Sequence, residues 1–126
     1  MRDKLIREAT KAREKAYVPY SSFKVGAALL SKSGNIYTGC NIENASFSLT
    51  CCAERTAIFN AISQGEREFM EMAVIADSKE PISPCGACRQ VMAEFFRENV
   101  NIYLTNVSGK TKQTSIKELL PYTFTL

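Results

Sequence analysis

The sequence predicts an α/β fold: a mixed five-stranded sheet with helices on both faces. Two observations carry that prediction. Apolar residues recur at helical spacing in some segments, while short β-rich runs bounded by turn residues separate them. The resulting order, α-β-β-α-β-α-β-β-α, places helices between strands along the whole chain.

Each element has a local reason. From Arg2 to Lys15, Leu5, Ala9, Ala12 and Ala16 form one narrow apolar stripe, which predicts a helix. Tyr17-Val18-Pro19-Tyr20 ends it, because a residue preceding proline is pushed out of helical geometry. Lys24 to Leu30 and Ile36 to Ile42 read as strands, and the turn residues of Ser31-Lys32-Ser33-Gly34-Asn35 make them an antiparallel hairpin. Asn41 to Ser48 is a polar loop, where functional side chains concentrate. A helix from Cys52 to about Ser63, with Thr50 as its cap, turns Ala57, Ile58, Ala61 and Ile62 inward. Met72 to Ala76 reads as a buried strand. Ser83-Pro84 reads as a helix start with Cys85, Cys88, Val91, Met92 and Phe95 on one face. Ile102 to Thr105 and Lys112 to Thr114 are the last strands, and Ser115 caps a short helix from Ile116 to Leu120 that Pro121 stops.

The composition restricts the function. A chain of 126 residues, 45% hydrophobic and 23% charged, is expected to fold as one domain, residues 1–126, with its own core. The net charge of +3 is too small to argue for nucleic acid. The basic residues of the first helix, Arg2, Lys4, Arg7, Lys11, Arg13 and Lys15, are interleaved with Asp3, Glu8 and Glu14, as on a solvated helical face. No apolar run is long enough to span a membrane and no signal-peptide pattern opens the chain. Five cysteines, three of them in motif spacing, favour a reducing compartment and metal ligation over disulfides, and the expected location is cytoplasmic.

The chain has no histidine, which removes Ser–His and Cys–His nucleophile pairs and every His-ligated zinc pattern. Cys52-Ala53-Glu54 and Pro84-Cys85-Gly86-Ala87-Cys88 then stand out. Both fall at predicted helix N-termini, where free N–H groups and the helix dipole favour thiolates. Cys85 and Cys88 are helical neighbours, and Cys52 completes a three-sulfur face for zinc. Three protein ligands leave a fourth position for water, within reach of Glu54. Three thiolates over-neutralise the ion, so Arg55 is assigned to the sulfurs as a hydrogen-bond donor. A Cys85–Cys88 redox dithiol and a closed four-cysteine site including Cys40 are the competing readings. Cys51 is a weaker candidate still, because its side chain faces away from that of Cys52.

Cys-Ala-Glu followed by Pro-Cys-x-x-Cys is a zinc-deaminase pattern in its three-cysteine form. With Phe23-Lys24-Val25-Gly26-Ala27-Ala28-Leu29, Gly39-Cys40-Asn41-Ile42-Glu43-Asn44-Ala45-Ser46, Cys52-Ala53-Glu54-Arg55-Thr56-Ala57 and Ser83-Pro84-Cys85-Gly86-Ala87-Cys88-Arg89-Gln90, the chain resembles the small cytidine deaminases of pyrimidine salvage over nearly its whole length. Glu118-Leu119-Leu120-Pro121 followed by Phe124 also fits, whereas Phe47 stands where many relatives have tyrosine.

The resemblance implies a three-layer α/β/α sandwich and a homotetramer. It further implies one zinc ion per subunit on Cys52, Cys85 and Cys88, with Glu54 as proton shuttle. Asn41 and Glu43 would bind a ribose hydroxyl, Phe23 would lie along the pyrimidine, and Phe124 would stack on the base in a neighbouring subunit's site. The expected reaction is hydrolytic deamination of cytidine and 2′-deoxycytidine to uridine and 2′-deoxyuridine plus ammonia, with no nucleic-acid or membrane partner. A deaminase of nucleic acid or of a nucleoside antibiotic, and a zinc-stabilised binding module, are the alternatives.

Overall fold

A computed structural model describes residues Met1–Leu126. Its sheet has five strands in the order β2-β1-β3-β4-β5. The strands are β1 (Val25–Ser31), β2 (Ile36–Cys40), β3 (Phe69–Ala76), β4 (Asn101–Asn106) and β5 (Thr111–Thr114). Only β3 and β4 pair in parallel; the other three pairings are antiparallel, so the sheet is mixed as expected. Four helices complete the three layers: α1 (Arg2–Arg13), α2 (Ala53–Ser63), α3 (Gly86–Phe95) and α4 (Ile116–Leu119).

The pleat of the strands sorts the core into two halves. Ala28, Leu30, Ala73, Ile75 and Tyr103 point to one face, where they meet Leu5 and Ala9 of α1. Ala27, Leu29, Met72, Val74, Ile102 and Leu104 point to the other, where α2, α3 and α4 bring Ala57, Ile58, Ala61, Met92, Ile116 and Leu119. The second cluster contains 18 buried residues against 7 in the first, so α2 and α3 rest on the side with the larger core. That side carries the candidate metal ligands.

Two glycines set how closely the helices lie. A Cβ at Gly39 would stand 2.3 Å from the Ala57 nitrogen and 2.7 Å from the Ala53 carbonyl, so a side chain there would push α2 off the sheet. Gly26 does the same for α1, its Cβ position being 2.1 Å from the Ala9 carbonyl. Both lie in strands read correctly from the sequence, but the close backbone approach depends on helices remote in the chain.

Several boundaries differ from the sequence reading, each for a local reason. The second strand stops at Cys40 rather than Ile42. Ile42 instead forms isolated bridges with Tyr17 and Cys51. Thr50 does not cap α2. It closes a short 3-10 turn, Phe47–Leu49, and its hydroxyl accepts the Asn44 N–H at 3.2 Å, leaving Cys52 as the N-cap. Ser83 and Pro84 do not start α3 either. The chain stays extended through Cys85, whose thiol takes the capping role by accepting the Cys88 N–H at 3.5 Å. Proline fixes its own φ in a range shared by helical and extended backbone, so Pro84 permits both. By contrast, Ser115 caps α4 as expected, accepting the Glu118 N–H at 3.4 Å.

Candidate metal centre and nucleoside site

Cys52 and Cys85 are both N-cap residues, of α2 and α3, and Cys88 lies in the first turn of α3. The positive ends of two helix dipoles therefore converge on three sulfur atoms. All three sulfurs lie within 4.8 Å of one another, and Cys52 Sγ is 3.8 Å from Cys85 Sγ. A tetrahedral zinc site with Zn–S bonds of about 2.3 Å has sulfurs about 3.8 Å apart, so the spacing fits the ion. Cys40 and Cys51 are not in the cluster.

Burial grades the three thiols: Cys88 is fully buried, Cys52 is half-buried and Cys85 is exposed. The Cys52 thiol is pulled down to about 5, first by a hydrogen bond from Cys88 and then by Arg55. The Cys88 thiol is pushed up, because it donates to Cys52 and because it is buried. Metal ligation by cysteine requires the thiolate, and the helix N-terminus and Arg55 favour that form at Cys52.

Arg55 lies one turn into α2 and supplies positive charge. Its Nη2 donates to Cys52 Sγ at 3.4 Å and to the Thr50 carbonyl at 3.3 Å. Its Nε is buried without a partner. A buried donor without a partner on the residue that reaches Cys52 Sγ fits a site whose cysteines act as thiolates, because a thiolate accepts hydrogen bonds more strongly than a thiol.

Glu54, two residues after Cys52, is buried, 4% exposed, in the first turn of α2. Burial raises its carboxyl to about 7, the range in which one group can both take and give a proton at neutral pH.

The isolated bridges explain how the polar loop reaches this centre. Ile42 and Cys51 exchange both backbone hydrogen bonds, at 2.9 and 3.0 Å, which lays residues 41–43 beside the segment that enters Cys52. Tyr17 pairs on the other side, its N–H donating to the Asn41 carbonyl and its carbonyl accepting the Glu43 N–H. Asn41 Oδ1 accepts the Val25 N–H at 2.9 Å and its Nδ2 donates to the Phe23 carbonyl at 2.8 Å. Glu43 accepts three donors: the N–H groups of Tyr20 and Ser21 on Oε1, and the Ser21 hydroxyl on Oε2. The Ser21 hydroxyl is the leading cause that holds its carboxyl below the usual range.

Counting what remains is informative. An amide nitrogen carries two N–H groups and a carboxylate has roughly four acceptor sites, so Asn41 retains one donor and Glu43 about one acceptor. A hydroxyl needs one of each.

Phe23 is 39% exposed and Phe124 is 67% exposed, so neither ring is a core residue. Phe124 lies on the tail beyond α4, against the outer side of α3, where Gln90 Nε2 donates to its carbonyl at 3.2 Å. The structure therefore brings the three cysteines, Glu54 and Arg55 together, and joins Phe23, Asn41 and Glu43 in one hydrogen-bonded loop beside them. Phe124 stands apart from this loop within the chain. Sequence reasoning missed Ser21 and Arg89. Arg89 ties the Pro84 carbonyl, just before Cys85, to the Leu119 carbonyl of α4 at 2.8 and 2.6 Å. Its only sequence signal is its place directly after Cys88.

Comparison with known proteins agrees with this geometry. Residues 1–104 match the family model of the cytidine and deoxycytidylate deaminase zinc-binding region. The chain belongs to this family. A cytidine deaminase of Sporosarcina psychrophila is 58% identical over 97% of this chain and 90% of its own length. Another, of Halalkalibacterium halodurans, is 56% identical over 98% of this chain and 94% of the relative. The crystal structure of cytidine deaminase from Burkholderia pseudomallei superposes with a TM-score of 0.96 at 51% identity, covering 98% of this chain and 99% of that one. The matched region, residues 1–104, contains Cys52, Cys85 and Cys88. No helix is long and apolar enough to cross a membrane.

Proposed function

We propose that this chain, acting as one catalytic domain over residues 1–126, deaminates cytidine and 2′-deoxycytidine hydrolytically in pyrimidine salvage. The observation that carries the reading is a three-sulfur centre with zinc spacing beside a buried carboxylate near neutrality. Cys52, Cys85 and Cys88 would hold one zinc ion per subunit. When bound, such an ion would lower the pKa of a water and so supply the nucleophile.

Glu54 does the rest of the proton work. Its carboxylate takes a proton from water as the oxygen adds to the amino-bearing ring carbon, and passes that proton to the adjacent ring nitrogen. The hydroxyl proton of the adduct then reaches the amino group through the same carboxylate. The C–N bond breaks, ammonia leaves, and the ring carbonyl of uridine forms. One carboxylate suffices because the two transfers are sequential. Arg55 holds the Cys52 sulfur and balances its charge.

Asn41 and Glu43, with one donor and one acceptor free, grip a sugar hydroxyl, and Phe23 lines the pyrimidine. A deaminase of nucleic acid would want a basic groove with stacking platforms. A built hydroxyl grip supports a free nucleoside instead. A reducing, cytoplasmic setting suits five unpaired cysteines.

Purified protein is expected to bleach the cytidine absorbance and release ammonia stoichiometrically, to stop after chelation, and to recover on adding zinc. Turnover undiminished by complete metal removal, or none with full zinc, would defeat the reading.

A homotetramer with shared sites is part of this proposal. Tyr17, Tyr20, Ile42, Phe47 and Leu49 are 45–68% exposed on segments that the isolated bridges hold side by side, an apolar surface suited to another subunit. Phe124, exposed on the C-terminal tail, would then cover a base in a neighbour's site. Stacking of that kind is worth about 1–3 kcal/mol, so Phe124→Ala should raise the KM for cytidine roughly tenfold with zinc still bound. Dilution that separates subunits should act in the same direction. A monomer of full catalytic efficiency, shown by sedimentation and assay at one concentration, would leave Phe124 without this role.

A further inference from the structure

Phe23 is aimed by its backbone rather than by packing. Its N–H donates to Ser21 Oγ at 3.0 Å and its carbonyl accepts from Asn41 Nδ2 at 2.8 Å. A serine hydroxyl has a single proton. Because Ser21 Oγ accepts from Phe23, that proton is free to go to Glu43 Oε2, 2.5 Å away. One hydroxyl therefore joins the backbone of the aromatic residue to the carboxylate. The Ser21 N–H and the Tyr20 N–H fix the other Glu43 oxygen at 3.1 and 3.0 Å.

The backbone between these anchors is strained. Ser22 has φ 58°, in the left-handed region that non-glycine residues seldom occupy. Such a conformation persists where flanking contacts over-determine it. Here Ser21 is tied to Glu43, Phe23 is tied to Ser21 and Asn41, and the Ser22 N–H itself donates to the Val18 carbonyl at 3.0 Å. Without the Ser21 hydroxyl, the Phe23 N–H and one Glu43 oxygen both lose their partner, and the strained residue between them has a route to relax.

We propose that Ser21 is a positioning residue of the nucleoside site, holding Phe23 to the base and Glu43 to the sugar through a single hydroxyl. The inference rests on the nucleoside reading above and adds a residue to it. The Ser21 hydroxyl bonds to Glu43 and Phe23 and not to the sulfurs or Glu54, so its contribution belongs to substrate binding rather than to the chemical step.

The test compares Ser21→Ala, Ser21→Thr, Phe23→Ala and Glu43→Gln, each checked for zinc content and thermal midpoint. A hydrogen bond to a charged group is substantial, so Ser21→Ala should raise the KM for cytidine roughly fivefold or more while kcat changes by less than about twofold. Uridine affinity, measured calorimetrically, should weaken by the same ratio, and Ser21→Thr should restore both. Because Ser21 acts through its neighbours, adding Ser21→Ala to a Phe23→Ala, Glu43→Gln background should have little further effect. A lowered thermal midpoint with KM unchanged would show a purely structural serine and overturn the proposal. So would a fall in kcat at constant KM. If the parent does not deaminate cytidine, or if Phe23→Ala and Glu43→Gln leave KM unchanged, the nucleoside reading itself fails; if those two raise KM and Ser21→Ala does not, only the serine assignment fails.

Discussion

Glu54→Gln is expected to keep a full complement of zinc while cytidine turnover falls by about 10²–10⁴-fold, the usual worth of a positioned acid–base group. The amide matches the carboxylate in size, so the buried site at the start of α2 should close around it as before. It cannot carry protons at neutral pH, and both proposed transfers run through this one side chain. The loss should therefore fall on kcat, with KM little altered, because Phe23, Asn41 and Glu43 are untouched. Metal analysis and steady-state kinetics on the same preparation decide the matter. A folded, zinc-loaded Glu54→Gln protein with parental kcat would sink the proton-shuttle assignment.

Cys88→Ala should lose the metal. Cys88 is fully buried between α3 and the rest of the core, and its sulfur is part of the cluster with Cys52 and Cys85. Partners one shell out from a metal typically cost 10–100-fold in affinity when removed, and a direct thiolate should cost more than roughly that range. Activity should vanish with the zinc. The folded state should also lose whatever stability metal binding contributes, which a falling thermal midpoint would report. Cys40→Ser and Cys51→Ser are the matched controls. Both residues lie outside the cluster, and zinc content should match the parent. Stoichiometric zinc in Cys88→Ala, or its loss in Cys40→Ser, would reassign the ligands.

The hairpin of β1 and β2 was readable because a β-rich run, a turn with Gly34 and a second run are all local features. The cap of α4 was readable for the same reason. Local propensity sets the caps of α2 and α3 at Thr50 and Ser83, yet the chain stays extended as far as Cys52 and Cys85, which cap the helices instead. That extra extension makes Cys52 and Cys85 the caps themselves and lets their sulfurs approach within 3.8 Å across 33 residues of sequence. Local propensity has no term for such an approach.

The sequence by itself determined the chemistry on offer: no histidine, three cysteines and one carboxylate in deaminase spacing, and the alternation of elements that makes a mixed sheet. These are matters of residue type and short-range order. Only the tertiary structure decided how those groups are tuned and joined. Gly39 lets α2 lie against the sheet, burial of Glu54 brings its carboxyl to about 7, and the bridge between Ile42 and Cys51 sets the polar loop beside the metal centre. Each of these depends on what the folded backbone brings alongside: a helix against Gly39, packing that keeps water from Glu54, and a hydrogen-bonded partner for Ile42. The physical reason is that desolvation and backbone pairing are properties of neighbours in space, which residue order alone does not state.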